Sequence, residues 1–269
     1  MTWELDVPFP AAGRMRVFDL AQPMYPGIPH HPAHPPYGFV LTKRHGDLVY
    51  PGGVSGSAAM ITTGDHVGTH VDGFAHVAKC GTVAGGVDIT GRQSFTGGMA
   101  VHSVHEMAPI AATGHLVDVP TLLGRELTPD DAVTGDHFAT WFADHGPEPA
   151  AGSVVLVRTG WDRYWSDPQR FLGTETGAPG VSLDGARWLA DRRVRASGAD
   201  TVAYEHMPSP SLDVHVHLLV EREISIMEAM NLEPLVAASV WSFFFVAAPL
   251  SIQGGTGSPI RPLAFVPQS

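Results

Sequence analysis

HVGTHVDGFAH, residues 66–76, packs three histidines and an aspartate into eleven positions with two glycines and a threonine between them. His66, His70, Asp72 and His76 all fall on even positions, so an extended backbone would aim all four at one face. A helix would split them, and Gly64, Gly68 and Gly73 also argue against one. In a straight strand His66 and His70 would stand roughly 13 Å apart at about 3.3 Å per residue, near the limit for sharing one ion. Gly68 can supply the bend that draws them together. The stretch therefore predicts a bent extended segment, and the rest of the chain must supply the sheet that holds it.

Short apolar or β-branched runs bounded by glycine or proline recur on either side: SAAMITT (57–63), HLVDV (115–119), SVVLVRT (153–159), TVAYE (201–205), ISIM (224–227) and SFFFVAA (242–248). Each is expected to be a buried strand. Helices fall between them. One is expected from Thr128 as N-cap, with Pro129, Asp130 and Asp131 in its first turn and Phe138, Trp141 and Phe142 at helical spacing, ending near Gly146. A second is expected from Ser182 through Leu183, Ala186, Leu189 and Ala190 toward Gly198. The fold class is mixed α/β, a mixed sheet with flanking helices. PMYPGIPHHPAHPPYG (23–38) holds too many prolines for regular structure and marks residues 1–50 as a proline-rich arm or active-site loop. No repeat or linker divides the chain, and residues 1–269 are expected to be one domain.

The formal charge of −11, from 16 Lys+Arg against 27 Asp+Glu, offers no basic stripe for a phosphate backbone, so nucleic acid is not an expected partner. The apolar run VWSFFFVAAPL (240–250) is too short to span a membrane and ends in Pro249-Leu250. The single cysteine, Cys80, cannot form an internal disulfide, and the opening MTWELDVPFPAAG lacks the pattern of a signal peptide, so a cytoplasmic location is expected.

Two neutral imidazoles and one carboxylate suit Zn²⁺ or Mn²⁺ at a site with open positions, the catalytic arrangement and not the closed structural one. A fourth group, His76, is then better used to move protons than to ligate. Histidines in a glycine-rich loop can also be plain hydrogen-bonding residues, but four such groups together favour the metal reading.

The stretch resembles the HxGTHxDxxxH signature of the cyclase family, which includes bacterial kynurenine formamidases and isatin hydrolases. VVLVRTGW (154–161), GVSLDGARWLA (180–190), GADTVAYE (198–205), HVHLLVEREISIMEAMNL (215–232) and FFFVAAPLSIQGGTGSPIRPLA (243–264) follow the family's order. The resemblance implies a swivelling β/β/α fold, a homodimer or homotetramer, and Zn²⁺ or Mn²⁺ held by His66, His70 and Asp72, with His76 catalytic. It also implies that His215 and Glu228 hold a second ion in binuclear members, so one or two ions per chain are expected. Gly73-Phe74 stands where the formamidases have Ala-Pro, and the chain is more similar to a longer branch with Ala-Leu there.

The activity these readings support is metal-dependent hydrolysis of an amide, lactam or ester in a small aromatic molecule, with His76 as general acid/base. The alternatives are a metal-dependent cyclase or dehydratase, and a non-catalytic metal-binding scaffold. HHPAH (His30, His31, His34) and HSVHEM (102–107) receive no ligand role. GVSGS (53–57) fails as a nucleophile elbow and GGTGSP (254–259) as a phosphate loop. Cys80 would need its own base to act as a nucleophile. Arg261 is either a structural anchor or a partner for a substrate carboxylate.

Overall fold

Every residue of Val154–Val157 is buried, odd and even alike, which requires a strand covered on both faces. That strand lies at the centre of a nine-stranded sheet in a computed structural model that describes residues 2–3 and 13–268. Most of the opening stretch in which a signal peptide was sought lies outside the described residues. The sheet strands are β1 (Met15–Asp19), β2 (His70–Asp72), β3 (Ile110–Asp118), β4 (Val154–Arg158), β5 (Ala196–Ala199), β6 (Ser225–Glu228), β7 (Ser242–Ala247), β8 (Gly257–Pro259) and β9 (Leu263–Pro267). Their order is β1-β9-β7-β3-β4-β5-β6-β2-β8. The four strands β3 to β6 run parallel, and antiparallel strands extend the sheet at both edges.

Alternation along the strands divides the core. Val117, Val155, Val157 and Ile226 face a cluster with Phe138, Trp141 and Leu189 of two helices, α1 (Gly135–His145) and α2 (Leu183–Asp191). Leu116, Val154, Leu156 and Met227 face the other side, filled by Leu20, Leu235, Phe243 and Phe245. Each buried Leu or Phe contributes about 1.5–3 kcal/mol.

Four local expectations need correction. Helix α1 does not begin at Thr128: Thr134 is its N-cap, with its amide donating to His137 Nδ1 at 3.0 Å, while residues 128–131 form a turn closed on the Asp131 carboxylate. The Thr-Pro-Asp-Asp pattern suits such a turn as well as a helix start. Helix α2 begins at its Ser182 cap as expected but stops at Asp191, and Gly198 lies inside β5. There a Cβ would come within 2.6 Å of the Met230 sulfur, so glycine is needed for close packing. TVAYE is not a strand; β5 precedes it, and residues 201–204 make bends that turn the chain over the end of the sheet. SAAMITT contains the expected strand, Ala58–Thr62, but it is exposed along its whole length and, among the described residues, pairs only with Gly38–Lys43. Residues 23–37 hold no helix or strand, as their prolines require.

Candidate metal centre

Strand β2 is three residues long and lies between β6 and β8, with His70 opposite Glu228 on one side and Asp72 opposite Gly257 on the other. Gly68 takes φ +73, the bend expected of it, and returns His66 to the face where His70 and Asp72 point. The Thr69 hydroxyl donates to Ala229 O at 2.6 Å and anchors this turn to the end of β6. Gly257, in the stretch that fails as a phosphate loop, is the bed for His66, whose ring carbon would lie 2.4 Å from any Cβ placed there.

Hydrogen bonds fix which ring nitrogens face inward. The Thr256 hydroxyl donates to Asp65 Oδ2 at 2.9 Å, so its oxygen accepts from His66 Nε2–H at 2.9 Å. The neutral His66 ring then turns the lone pair of Nδ1 toward Asp72 Oδ1, 2.7 Å away. His70 Nδ1–H donates to Gly68 O at 2.8 Å, leaving Nε2 at 3.5 Å from both Asp72 Oδ1 and Glu228 Oε2. His215 Nδ1–H donates to the Glu205 carboxylate, and its Nε2 stands 3.2 Å from Glu228 Oε1 and 3.7 Å from Asp72 Oδ2. Three lone pairs and two carboxylates thus converge in a buried space, and Asp72 Oδ2 has no hydrogen-bond partner. Such an arrangement requires positive charge at its centre.

The titration of the groups expresses the same demand. Burial alone would lower His66 and His215, yet Asp72 raises the first, and Glu205 and Glu228 carry the second up to about 10. Burial pushes Glu228 up to about 7, while the surrounding imidazoles, His76 first, hold Asp72 below the carboxylate range against burial. His70 and His76 are lowered to about 4, chiefly by burial, and are neutral imidazoles near pH 7. A divalent ion satisfies the same carboxylates by displacing protons.

The donors form two groups that share Asp72. Ligand atoms of His66, Asp72 and His76 lie within 4.8 Å of one another, as do those of Asp72, His215 and Glu228. His70 stands between the groups, facing a carboxylate of each. His76 stacks on His66 with centroids 3.8 Å apart, close enough to serve as a donor as well as a base. His217 turns away, its Nδ1 bonded to Glu221 at 2.9 Å.

The centre opens into a cavity of about 290 Å³. Phe171, Val202, Ala203, Met207 and Leu212 give it an apolar lining, to which the HHPAH loop adds His30, His31 and His34. The proline-rich stretch was expected to be an arm or an active-site loop, with no ligand role for its histidines, and the His34 ring lies 5.1 Å from His66 and 6.4 Å from His76. The remaining candidates lie elsewhere. Cys80 is exposed, Arg261 pairs with Asp19 at 2.6 Å, and His102 and His105 bond to Ala84 O and to Ser103 Oγ.

Two orienting carboxylates were missed, Asp65 behind His66 and Glu205 behind His215. Asp65 directly precedes the motif, but nothing in the spacing of Glu205 pairs it with a histidine ten residues later. A carboxylate on the far nitrogen of a ligating imidazole fixes its tautomer and raises its basicity. Glu205→Gln is accordingly expected to weaken any ion held through His215 by roughly 10- to 100-fold, read by competition with a chelator. Unchanged affinity would reduce Glu205 to a structural acceptor for the Ser209 hydroxyl and the Val214 amide, which both donate to it.

The sequence matches the family model described as "Putative cyclase" over residues 18–206. It is 30% identical to isatin hydrolase of Roseibium aggregatum over 214 residues, covering 77% of this chain and 73% of that protein. It is 24% identical to kynurenine formamidase of Bordetella avium over 249 residues, covering 91% and 96%. Among solved structures, isatin hydrolase A from Ralstonia solanacearum aligns with a TM-score of 0.72 at 28% identity, over 94% of this chain and 92% of that one. His215 and Glu228 lie beyond the matched family segment, so their place in the centre is carried by geometry.

Proposed function

Because this chain belongs to the cyclase family, we propose that it is a metal-dependent hydrolase that opens a C–N bond, in an amide or lactam, of a small uncharged molecule bearing a ring. The observation that carries this reading is the convergence of ring nitrogens of His66, His70 and His215 on the Asp72 and Glu228 carboxylates. His66, His70 and Asp72 would hold one Zn²⁺ or Mn²⁺, and Asp72, His215 and Glu228 a second. The ions would supply Lewis acidity, polarising the scissile carbonyl and making water easier to deprotonate. His76, neutral and beside the cluster, would take a proton and return it to the leaving nitrogen. Phe171, Met207 and Leu212 would hold the ring and exclude bulk water.

Neither lysine nor arginine lines the cavity among the described residues. A zwitterionic amino acid such as formylkynurenine would leave its carboxylate unpaired there, and a neutral lactam, imide or aryl amide would not. We further read the chain as one cytoplasmic domain, acting on a small-molecule substrate without nucleic acid or membrane. The longest helices, α1 and α2, are too short to cross a bilayer, and no other described helix is long and apolar enough.

The test is a panel of aryl formamides, lactams, imides and esters offered to protein of known metal content in ¹⁸O-labelled water. Hydrolysis should place the label in the new carboxylate, with neutral ring substrates turned over faster than zwitterionic ones. Turnover without label would mean cyclisation or dehydration, and a metallated protein inert to the whole panel would be a binding scaffold.

A further inference from the structure

A second cavity, of about 450 Å³, shares no lining residue with the cavity at the metal centre. Its volume falls within the range of small-molecule sites, about 300–1,000 Å³. The two cavities meet at the short helix Pro168–Leu172, which gives Arg170 to the second and Phe171 to the first. The Trp161 indole N–H, from the lining of the second, donates to Phe171 O at 3.0 Å and ties that wall together.

Leu127, Trp161 and Tyr164 give the second cavity an apolar lining, and Arg170 and Glu175 give it two charges. The Arg170 guanidinium lies 3.7 Å from the centre of the Tyr164 ring and donates to its hydroxyl at 2.6 Å, which fixes its place. Arg163 lies against the same ring but is neutralised by Glu126 at 2.8 Å. Among the described residues neither the Arg170 guanidinium nor the Glu175 carboxylate forms an ion pair, with each other or with any third group. A cation and an anion thus line one concave, partly aromatic space without meeting. The molecule that satisfies both carries an anion and an N–H donor on a ring.

We propose that this cavity is a second small-molecule site, which takes an aromatic ring bearing both a carboxylate and an amine. Arg170 holds the carboxylate with its planar fork, Glu175 accepts from the amine N–H, and the ring rests against Trp161 and Leu127. This is also the product class of the metal centre, an identification that rests on reading that centre as a lactam-opening site. Adding water across a lactam C–N bond gives the carbonyl carbon a hydroxyl, which ionises, and gives the nitrogen a proton, so one molecule leaves with both groups. The metal cavity has neither lysine nor arginine among the described residues, and the second cavity supplies that cation.

A ligand-observed NMR titration of the full, zinc-loaded chain with 2-aminophenylacetate, the opened form of a five-membered aryl lactam, tests the proposal. The wild type should bind it, and Arg170→Gln should weaken binding by roughly 10- to 100-fold, as loss of a charged hydrogen-bond partner does. Glu175→Gln should weaken it by about tenfold yet leave phenylacetate, which lacks the amine, unmoved, a difference that general disturbance of the loop would not produce. Both side chains are exposed, so both variants should keep the circular dichroism of the wild type. Asp72→Asn should retain the binding, because the ions take no part in this site. No binding at millimolar probe, binding that ignores both cavity variants, or binding that disappears in Asp72→Asn would each overturn the proposal, the last by placing the probe on the ions. Arg170-dependent binding in a protein that opens no lactam would keep the site and end the reading of the metal centre. Lactam hydrolysis without Arg170-dependent binding would do the reverse.

Discussion

Asp72→Asn should empty both proposed metal positions at once. The carboxylate is buried, its Oδ1 faces His66 and His70, its Oδ2 faces His215, and both donor groups include it. The substitution keeps the shape but removes the negative charge, and places an NH₂ among imidazole nitrogens that have lone pairs to offer. Metal content should fall below one ion per chain, and turnover should fall far beyond the roughly 10- to 100-fold loss that follows damage to an outer partner. The fold should survive, because β2 is held by backbone bonds to β6 and β8 and by Thr69. Elemental analysis beside an activity assay decides the matter. Asp72→Asn protein that kept a full complement of metal and most of its turnover would mean that the convergence of lone pairs at Asp72 is not a metal site.

The second large effect separates two neighbouring histidines. His76→Ala should lower turnover by about 10²- to 10⁴-fold, the contribution of a positioned general acid or base, while leaving the ions bound. His70→Ala should lose metal, because its Nε2 faces a carboxylate of each donor group while its Nδ1 is committed to Gly68 O. The stacking of His76 on His66, and its place in a donor group, make this a sharp test. Equal metal loss in both variants would turn His76 into a ligand and leave the reaction without its proposed proton carrier.

How far the centre was legible in sequence depended on the distance over which its parts act. His66, His70 and Asp72 lie within seven residues, and the even spacing, together with a glycine that must bend, conveyed both extended backbone and common direction. Strands β3, β4 and β6 were legible because burial on two faces writes an unbroken apolar run, as in Val154–Val157, whereas β5, with its small residues, was placed about five positions late, at TVAYE. The start of α1 was not, since a threonine followed by proline and acids caps a turn as readily as a helix. The exposed strand Ala58–Thr62 misled for a related reason: apolar composition reports that a surface wants covering, not which molecule covers it. Glu205, Thr256 and Gly257 carried no local signal, because their roles arise only where remote segments cross β2.

That crossing also fixes when the centre can exist during the life of the chain. His66 rests on Gly257 and bonds Thr256, 190 residues further on, and Glu228 reaches His70 from the adjoining strand. A nascent polypeptide emerging from the ribosome therefore holds the whole signature motif long before it holds a binding site. An ion cannot template the early steps of folding here; it arrives as a latch on an almost finished sheet, its binding energy adding to the stability of the completed state alone. Strand β8, made after every donor of the centre, decides whether the first histidines have anywhere to point.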